Sequence, residues 1–189
     1  MKTEFSFIIG IDTKIMISIS DLPLRFNYYY EPTEKLHKFD EATASFITGE
    51  AQIILEQDIL DGIVLSFEGT LKKVVSNNLP LPNTIKAGNA GSELNMMLND
   101  MSGLNMKPYW VWSSLERTHT LLYNYENKIY LEISPGCPDL FTDKSARTIN
   151  KLFKEFMKTY KPYFVTEIPI ETAKQWLEQS EQIIQMINL

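Results

Sequence analysis

The stretch Thr118-His119-Thr120-Leu121-Leu122-Tyr123-Asn124-Tyr125-Glu126-Asn127-Lys128-Ile129-Tyr130-Leu131-Glu132-Ile133-Ser134 holds two β-favouring runs around one polar pair. Glu126-Asn127 between such runs reads as a two-residue hairpin connection. Upstream, Lys107–Ser114 is aromatic and β-favouring through Tyr109, Trp110, Val111 and Trp112, and adds a strand to the same meander. Trp110 and Trp112 are two apart, so a regular strand places them on one face, directed into the core. Downstream, Pro135-Gly136-Cys137-Pro138 must end the sheet, because proline cannot donate to a ladder.

A second strand group opens the chain. Phe5, Phe7, Ile9 and Ile11 alternate, then Ile15, Ile17 and Ile19, which predicts a hairpin over Glu4–Ile19 turning at Asp12-Thr13. Asp21-Leu22-Pro23 marks a turn, Leu24–Tyr30 could add a strand, and Glu31–Asp40 reads as loop. Phe46–Leu55 reads as one strand. Leu60, Ile63, Val64, Phe67, Leu71, Val74 and Val75 then follow three- and four-residue steps, the pattern of a one-sided helix, with Asp58 as its expected N-cap. Asn77–Gly91 is rich in Asn, Pro and Gly and reads as loop. Short helical spacing follows at Ser92–Met101. Two amphipathic helices are expected at Asp143–Tyr160 and from Pro169 to about Ile187, with an extended stretch between them at Tyr163–Glu167. The fold class is therefore α+β: antiparallel strand meanders at the N-terminus and at about 107–134, with helices packed mainly on one side. The 189 residues suit a single domain, since two halves would each bury too little surface.

Composition narrows the functional classes. Aromatic residues spread along the chain argue against disorder. One cysteine, Cys137, precludes an intrachain disulfide, and this fits a reducing, cytoplasmic setting. Charged residues interrupt the N-terminal apolar run, so no secretory signal is expected. No segment approaches the ~20 apolar residues of a membrane span. A pI of about 5.0 argues against nucleic-acid binding by the surface as a whole.

Charge is unevenly placed. Between Glu31 and Glu68 nine acids face two bases, a balance of −7, while the whole chain carries −6. Between Thr142 and Lys161 six bases face two acids, a balance of +4. Separated charge steers encounters with partners of opposite sign. The acidic segment follows three consecutive tyrosines, which cannot all point inward from a strand. The candidate partner-binding residues are thus Tyr28, Tyr29, Tyr30, Glu31, Glu34, Asp40, Glu41, Asp58 and Asp61. The alternative is an anion-binding stripe at Lys144, Arg147, Lys151, Lys154, Lys158 and Lys161, whose spacing places them in one arc of a helix opposite its apolar face. For both stretches the plainer reading is a solvated face.

Chemistry-bearing motifs are sparse. His37 and His119 have no His or Cys at metal-ligand spacing. His119 fits a hydrogen-bonded strand histidine better than a general base, and Cys137 a structural thiol better than a nucleophile. Asp58 and Asp61, three apart, could pair for acid–base or Mg²⁺ chemistry on one helix side, but no partner motif accompanies them. The sequence has no phosphate-binding loop, dinucleotide fingerprint or nucleophile elbow. No catalytic, metal or cofactor residue is expected.

The ending Tyr160-Lys161-Pro162-Tyr163-Phe164, Ile168-Pro169 and Trp176-Leu177-Glu178-Gln179, with Lys128–Pro135 before it, resembles the small acidic immunity proteins encoded beside bacterial polymorphic toxins. The likeness covers roughly the last 80 residues and carries no functional residue over. It implies a non-enzymatic cytosolic inhibitor that binds one cognate toxin. The expected partner is accordingly a protein, a basic toxin domain, with no membrane and no cofactor. Nucleic-acid or anionic-ligand binding through the basic helix is the alternative, and an enzyme of unrecognised type the third reading.

Overall fold

The computed structural model describes residues 3–19, 36–114, 117–138, 140 and 142–188. The expected strand at Leu24–Tyr30, and with it Tyr28, Tyr29, Tyr30, Glu31 and Glu34, lies outside these residues. Eight strands form two antiparallel four-stranded meanders, each in sequence order. The first contains β1 (Glu4–Gly10), β2 (Thr13–Ile19), β3 (Glu41–Thr48) and β4 (Ala51–Ile59). The second contains β5 (Trp110–Ser113), β6 (Thr118–Tyr125), β7 (Lys128–Pro135) and β8 (Phe164–Ile168). The helices are α1 (Leu60–Val75), α2 (Ala90–Leu98), α3 (Ala146–Thr159) and α4 (Ile170–Ile187). The α+β class read from the sequence is the one observed.

The β6–β7 hairpin turns at Glu126-Asn127, both with positive φ (50° and 62°), as a type I′ connection requires. The first hairpin turns at Ile11-Asp12 rather than Asp12-Thr13, because Gly10 pairs with Thr13; Ile11 therefore sits fully exposed at the tip. The single strand expected over Phe46–Leu55 is in fact the end of β3, a Gly49-Glu50 turn and most of β4. Gly49 takes φ +56°, a conformation other side chains resist. The turn pairs Phe46 with Ile53 and Ile47 with Gln52, so Ile47 and Ile53 do not share a face.

Asp58 does not cap α1. It belongs to β4, paired with Ala42, and the strand passes directly into the helix at Ile59 without a side-chain cap. Its carboxylate accepts from the next backbone N–H, Ile59, at 2.7 Å. α1 forms despite Gly62 and Gly69 because its apolar face is wholly enclosed. Phe67 is the hub: its ring lies 5.1 Å from Phe7 of β1, 4.8 Å from Trp112 of β5 and 5.9 Å from Trp176 of α4. Burial of each such side chain stabilises by roughly 1.5–3 kcal/mol, more than the ~1 kcal/mol that a helical glycine costs. α4 presents Ala173, Trp176, Ser180, Ile183 and Ile187 at steps of three and four to the same core.

Two further contacts tie the sheets. Phe46 of β3 packs on Phe164 of β8 at 4.6 Å, and the Ser113 N–H of β5 donates to the Glu56 carboxylate of β4 at 3.1 Å. Along β1, the Ile8 and Ser6 carbonyls accept from Trp176 Nε1 (3.1 Å) and Gln179 Nε2 (3.3 Å). These outward carbonyls would otherwise form an open strand edge, so α4 closes it.

The second sheet is covered on both faces, which is why β6 is buried from Thr118 to Asn124. Pair register assigns Thr120, Leu122, Asn124, Leu131 and Ile133 to one face and His119, Leu121, Tyr123, Tyr130, Glu132 and Ser134 to the other. α1 lies on the first face: Asn124 Nδ2 donates to the Val74 carbonyl (2.9 Å) and Trp112 Nε1 to that of Ile63 (3.0 Å). α2 lies on the second. The two tryptophans do not share a face. A register shift between Trp110 and Trp112 is a bulge, and it turns Trp110 to the α2 side while Trp112 stays with α1.

The loop read over Asn77–Gly91 ends at Asn89, because α2 begins at Ala90 and not at Ser92, and the loop is sewn down. Leu81 N–H donates to the Asn124 carbonyl (2.8 Å), Asn124 N–H to that of Leu79 (2.9 Å), and Leu79 N–H to Asn124 Oδ1 (3.1 Å). The basic helix starts later than expected. Its cap is Ser145, which accepts from Thr148 N–H at 3.4 Å, so Thr142 and Asp143 precede it.

Candidate functional site

Antiparallel pairing of β3 with β4 brings together acids that are far apart in sequence. Glu41 pairs with Ile59 and Ala42 with Asp58. Leu60 N–H donates to the Asp40 carbonyl at 2.8 Å, and Asp61 N–H to that of Lys38 at 3.1 Å. The backbones of Asp40, Glu41, Asp58 and Asp61 therefore meet at one corner, where β3 begins and α1 follows β4, with Glu41 and Asp58 on opposite faces of the ladder. A tight turn precedes them: His37 N–H donates to Asp40 Oδ2 at 2.8 Å and Asp40 N–H to the His37 carbonyl at 3.0 Å. This turn presents Phe39 to solvent, with the Lys38 ammonium 5.2 Å from its ring centre. Glu41, Asp58 and Asp61 make no ion pair with a described residue. Asp58 and Asp61 no longer share a helix side, since only Asp61 is helical; the acid–base pairing considered for them loses its geometry.

The alternative stripe is presented by α3. Lys144, Arg147, Lys151, Lys154, Lys158 and Lys161 are all exposed. Lys158 is engaged by Glu155 at 2.8 and 3.0 Å, and that partner holds the Glu155 carboxyl below its ordinary range. The apolar face opposite the stripe was expected to be buried, but only Phe153 is fully buried. α3 lies at the periphery, and even its buried Phe153 is not part of the main hydrophobic core.

A third locus, absent from the sequence reading, lies on the α2 face of the second sheet. The Glu132 carboxyl group is completely buried, yet both oxygens are satisfied. Oε1 accepts from Gly91 N–H (2.7 Å) and the Ser134 hydroxyl (2.8 Å). Oε2 accepts from Ala90 N–H (3.2 Å) and the Tyr123 hydroxyl (2.9 Å). The two amides belong to the first turn of α2, whose own cap, Asn89, supplies no side-chain bond. Glu132 thus caps a helix from a neighbouring strand and meets its positive end. The Tyr160 hydroxyl donates to Ser134 at 2.9 Å, which ties the end of α3 to the same network. Burial, and next the Glu132 charge, push both tyrosine hydroxyls well above the usual phenol range. Gly91 is obligatory here: a Cβ would lie 2.5 Å from both Ser134 Cβ and Tyr160 Oη. Asn95, equally buried, donates to the carbonyls of Gly91 (2.8 Å) and Pro135 (2.9 Å) and accepts from Cys137 N–H (2.8 Å).

Beside this network is a cavity of about 260 Å³ bordered by Trp110, Ser113, Arg117, His119, Gly136 and Cys137 among others. His119 is 4% exposed. Its Nδ1 lies 3.2 Å from the Ser113 hydroxyl, and its ring meets Trp110 edge-on at 5.3 Å between centres. Burial lowers its pKa to about 4, so the ring is neutral at physiological pH. Sequence had favoured a hydrogen-bonded strand histidine, and that is its setting. What sequence reasoning missed was the cavity, made by the bulge at Trp110 and the bare Gly136. For the neighbouring carboxylate network the available signal was Glu132 itself, an acid between Leu131 and Ile133.

Among the described residues no group of three or more His, Cys, Asp or Glu is arranged to hold a metal ion, and no helix is long and apolar enough to cross a membrane. Comparison with family models, curated proteins and solved structures gives no match.

Proposed function

We propose that this chain is a non-enzymatic protein-binding domain of the immunity type, which neutralises a basic toxin domain in the cytoplasm by covering it. The observation that carries the reading is the corner at Asp40, Glu41, Asp58 and Asp61. Residues 17 or more apart in sequence meet there around an exposed aromatic, Phe39. Aromatic residues are enriched at protein interfaces, and charged residues sit at the rim. Acidic surfaces of this kind accelerate association with basic partners by roughly 10–10³ at low salt. The binding role needs no cofactor.

The test is kinetic. The partner is the toxin domain encoded beside this chain's gene, and association is followed by surface-based kinetics at low and high salt. Reversing Asp58 and Asp61 to lysine should slow association by about tenfold at low salt, with the gap closing near 1 M, where the Debye length is about 3 Å. An unchanged on-rate at low salt sinks the reading.

One observation favours a second reading. α3 buries only Phe153 completely, and its Arg147, Lys151 and Lys154 are exposed to an approaching anion. Each neutralised phosphate contributes about −0.9 to the salt slope for duplex DNA. Submicromolar binding of DNA or RNA in ~150 mM salt, lost on changing Lys151, Lys154 and Lys158 to glutamate in a folded variant, would put this reading first.

A further inference from the structure

We propose that the cavity on the α2 face of the second sheet binds a small monocarboxylic acid with a compact apolar body. Its size, about 260 Å³, is just below the usual range of ligand pockets, roughly 300–1,000 Å³, which restricts the occupant to a small molecule. Leu98, Trp110 and Leu140 supply apolar walls. The polar end is made by two side chains with unused capacity. Arg117 donates through Nη1 to the Cys137 carbonyl at 3.1 Å, and its other N–H groups bond to no described residue. His119 is more than nine-tenths buried, and only its Nδ1 is engaged, with Ser113. Its Nε2 borders the cavity without a hydrogen-bond partner among the described residues. Glycine at 136 keeps space open at that atom, since a Cβ there would come within 2.7 Å of Nε2.

These groups select for a carboxylate. When the Ser113 hydroxyl donates to Nδ1, the imidazole proton sits on Nε2, which then donates into the cavity. Nε2–H and the free guanidinium edge are two donors, one of them cationic, and a carboxylate offers two acceptor oxygens to match. A neutral amide brings an N–H₂ group against those donors and should bind less well. The proposal goes beyond the protein-binding reading and uses none of the corner residues, so either can fail alone.

The experiment titrates the isolated protein with benzoate, phenylacetate and hexanoate, and with benzamide as the neutral control. Binding is read from Trp110-dependent fluorescence and from the His119 side-chain ¹⁵N resonances. At least one acid is expected to bind saturably, with benzamide about tenfold weaker or more. Arg117→Gln, at a half-buried position outside the core, should weaken the acid by about tenfold and leave benzamide unchanged. No saturable response to any acid up to about 10 mM, equal binding of benzoate and benzamide, or an unaltered acid affinity in folded Arg117→Gln would each overturn the proposal.

Discussion

Acidification should destabilise this protein through His119 in particular. Its ring is enclosed by the bulge at Trp110, by Ser113 and by Gly136, and burial depresses its pKa from 6.5 to about 4. The native state therefore resists a proton that the unfolded chain accepts readily. Stability from this source is complete above pH 6.5, declines as pH falls through the interval to about 4, and is gone below it. At about 1.4 kcal/mol per pH unit, that interval is worth about 3 kcal/mol, a large share of the 5–15 kcal/mol that holds a typical domain together. Glu56, bonded to Ser113 N–H, works against it: burial raises its carboxyl above the ordinary range, so the native state gains from its protonation as pH falls. The comparison must therefore be made against a variant. His119→Asn leaves a polar group near Nδ1 for Ser113 and cannot titrate. Urea unfolding at intervals between about pH 7 and pH 4 should show the parent losing about 3 kcal/mol more than this variant. Parallel loss in the two proteins would refute the assignment of the pH dependence to His119.

Glu132→Ala should cost about 3–5 kcal/mol, seen as a fall in the urea midpoint, because four buried donors lose their acceptor together. Gly91→Ala should cost about 1–3 kcal/mol by the same assay, since Ser134 and Tyr160 must move aside for the new methyl group. Thr120→Val should be neutral or stabilise by about 1 kcal/mol in thermal unfolding: the Thr120 hydroxyl is buried without a hydrogen-bond partner, and removing it relieves that desolvation.

The elements that sequence revealed are those whose periodicity agrees with their packing. The Glu126-Asn127 turn, the strands beside it, and α1 and α4 follow directly from spacing. Failures occur where one residue breaks a period. The Gly49-Glu50 turn is missed because a two-residue connection leaves β-favouring residues close on both sides, and these read as one strand. The bulge beside Trp110 reverses a side chain that simple alternation would place with Trp112. Asp58 has the residue type of a helix cap, but its pairing with Ala42 keeps it in β4. The acidic corner was legible as composition and not as geometry, since it exists only once β3 and β4 are recognised as separate strands. The Glu132 network was visible as a misplaced acid, but its partners at Ala90 and Gly91 lie 42 and 41 positions away and needed the fold.

The contacts that close the β1 edge join residues 168 and 173 positions apart. A ribosome adds roughly 5–20 residues per second, so the N-terminal hairpin emerges on the order of ten seconds or more before Trp176 and Gln179 exist. During that interval its outer carbonyls lack the Trp176 and Gln179 donors and form an open strand edge. Neither the β1 ladder nor the hub at Phe67 is complete until α4 arrives. β1 is made long before α4 and is protected only with it, and yield in a cell will depend on how long translation holds that edge open.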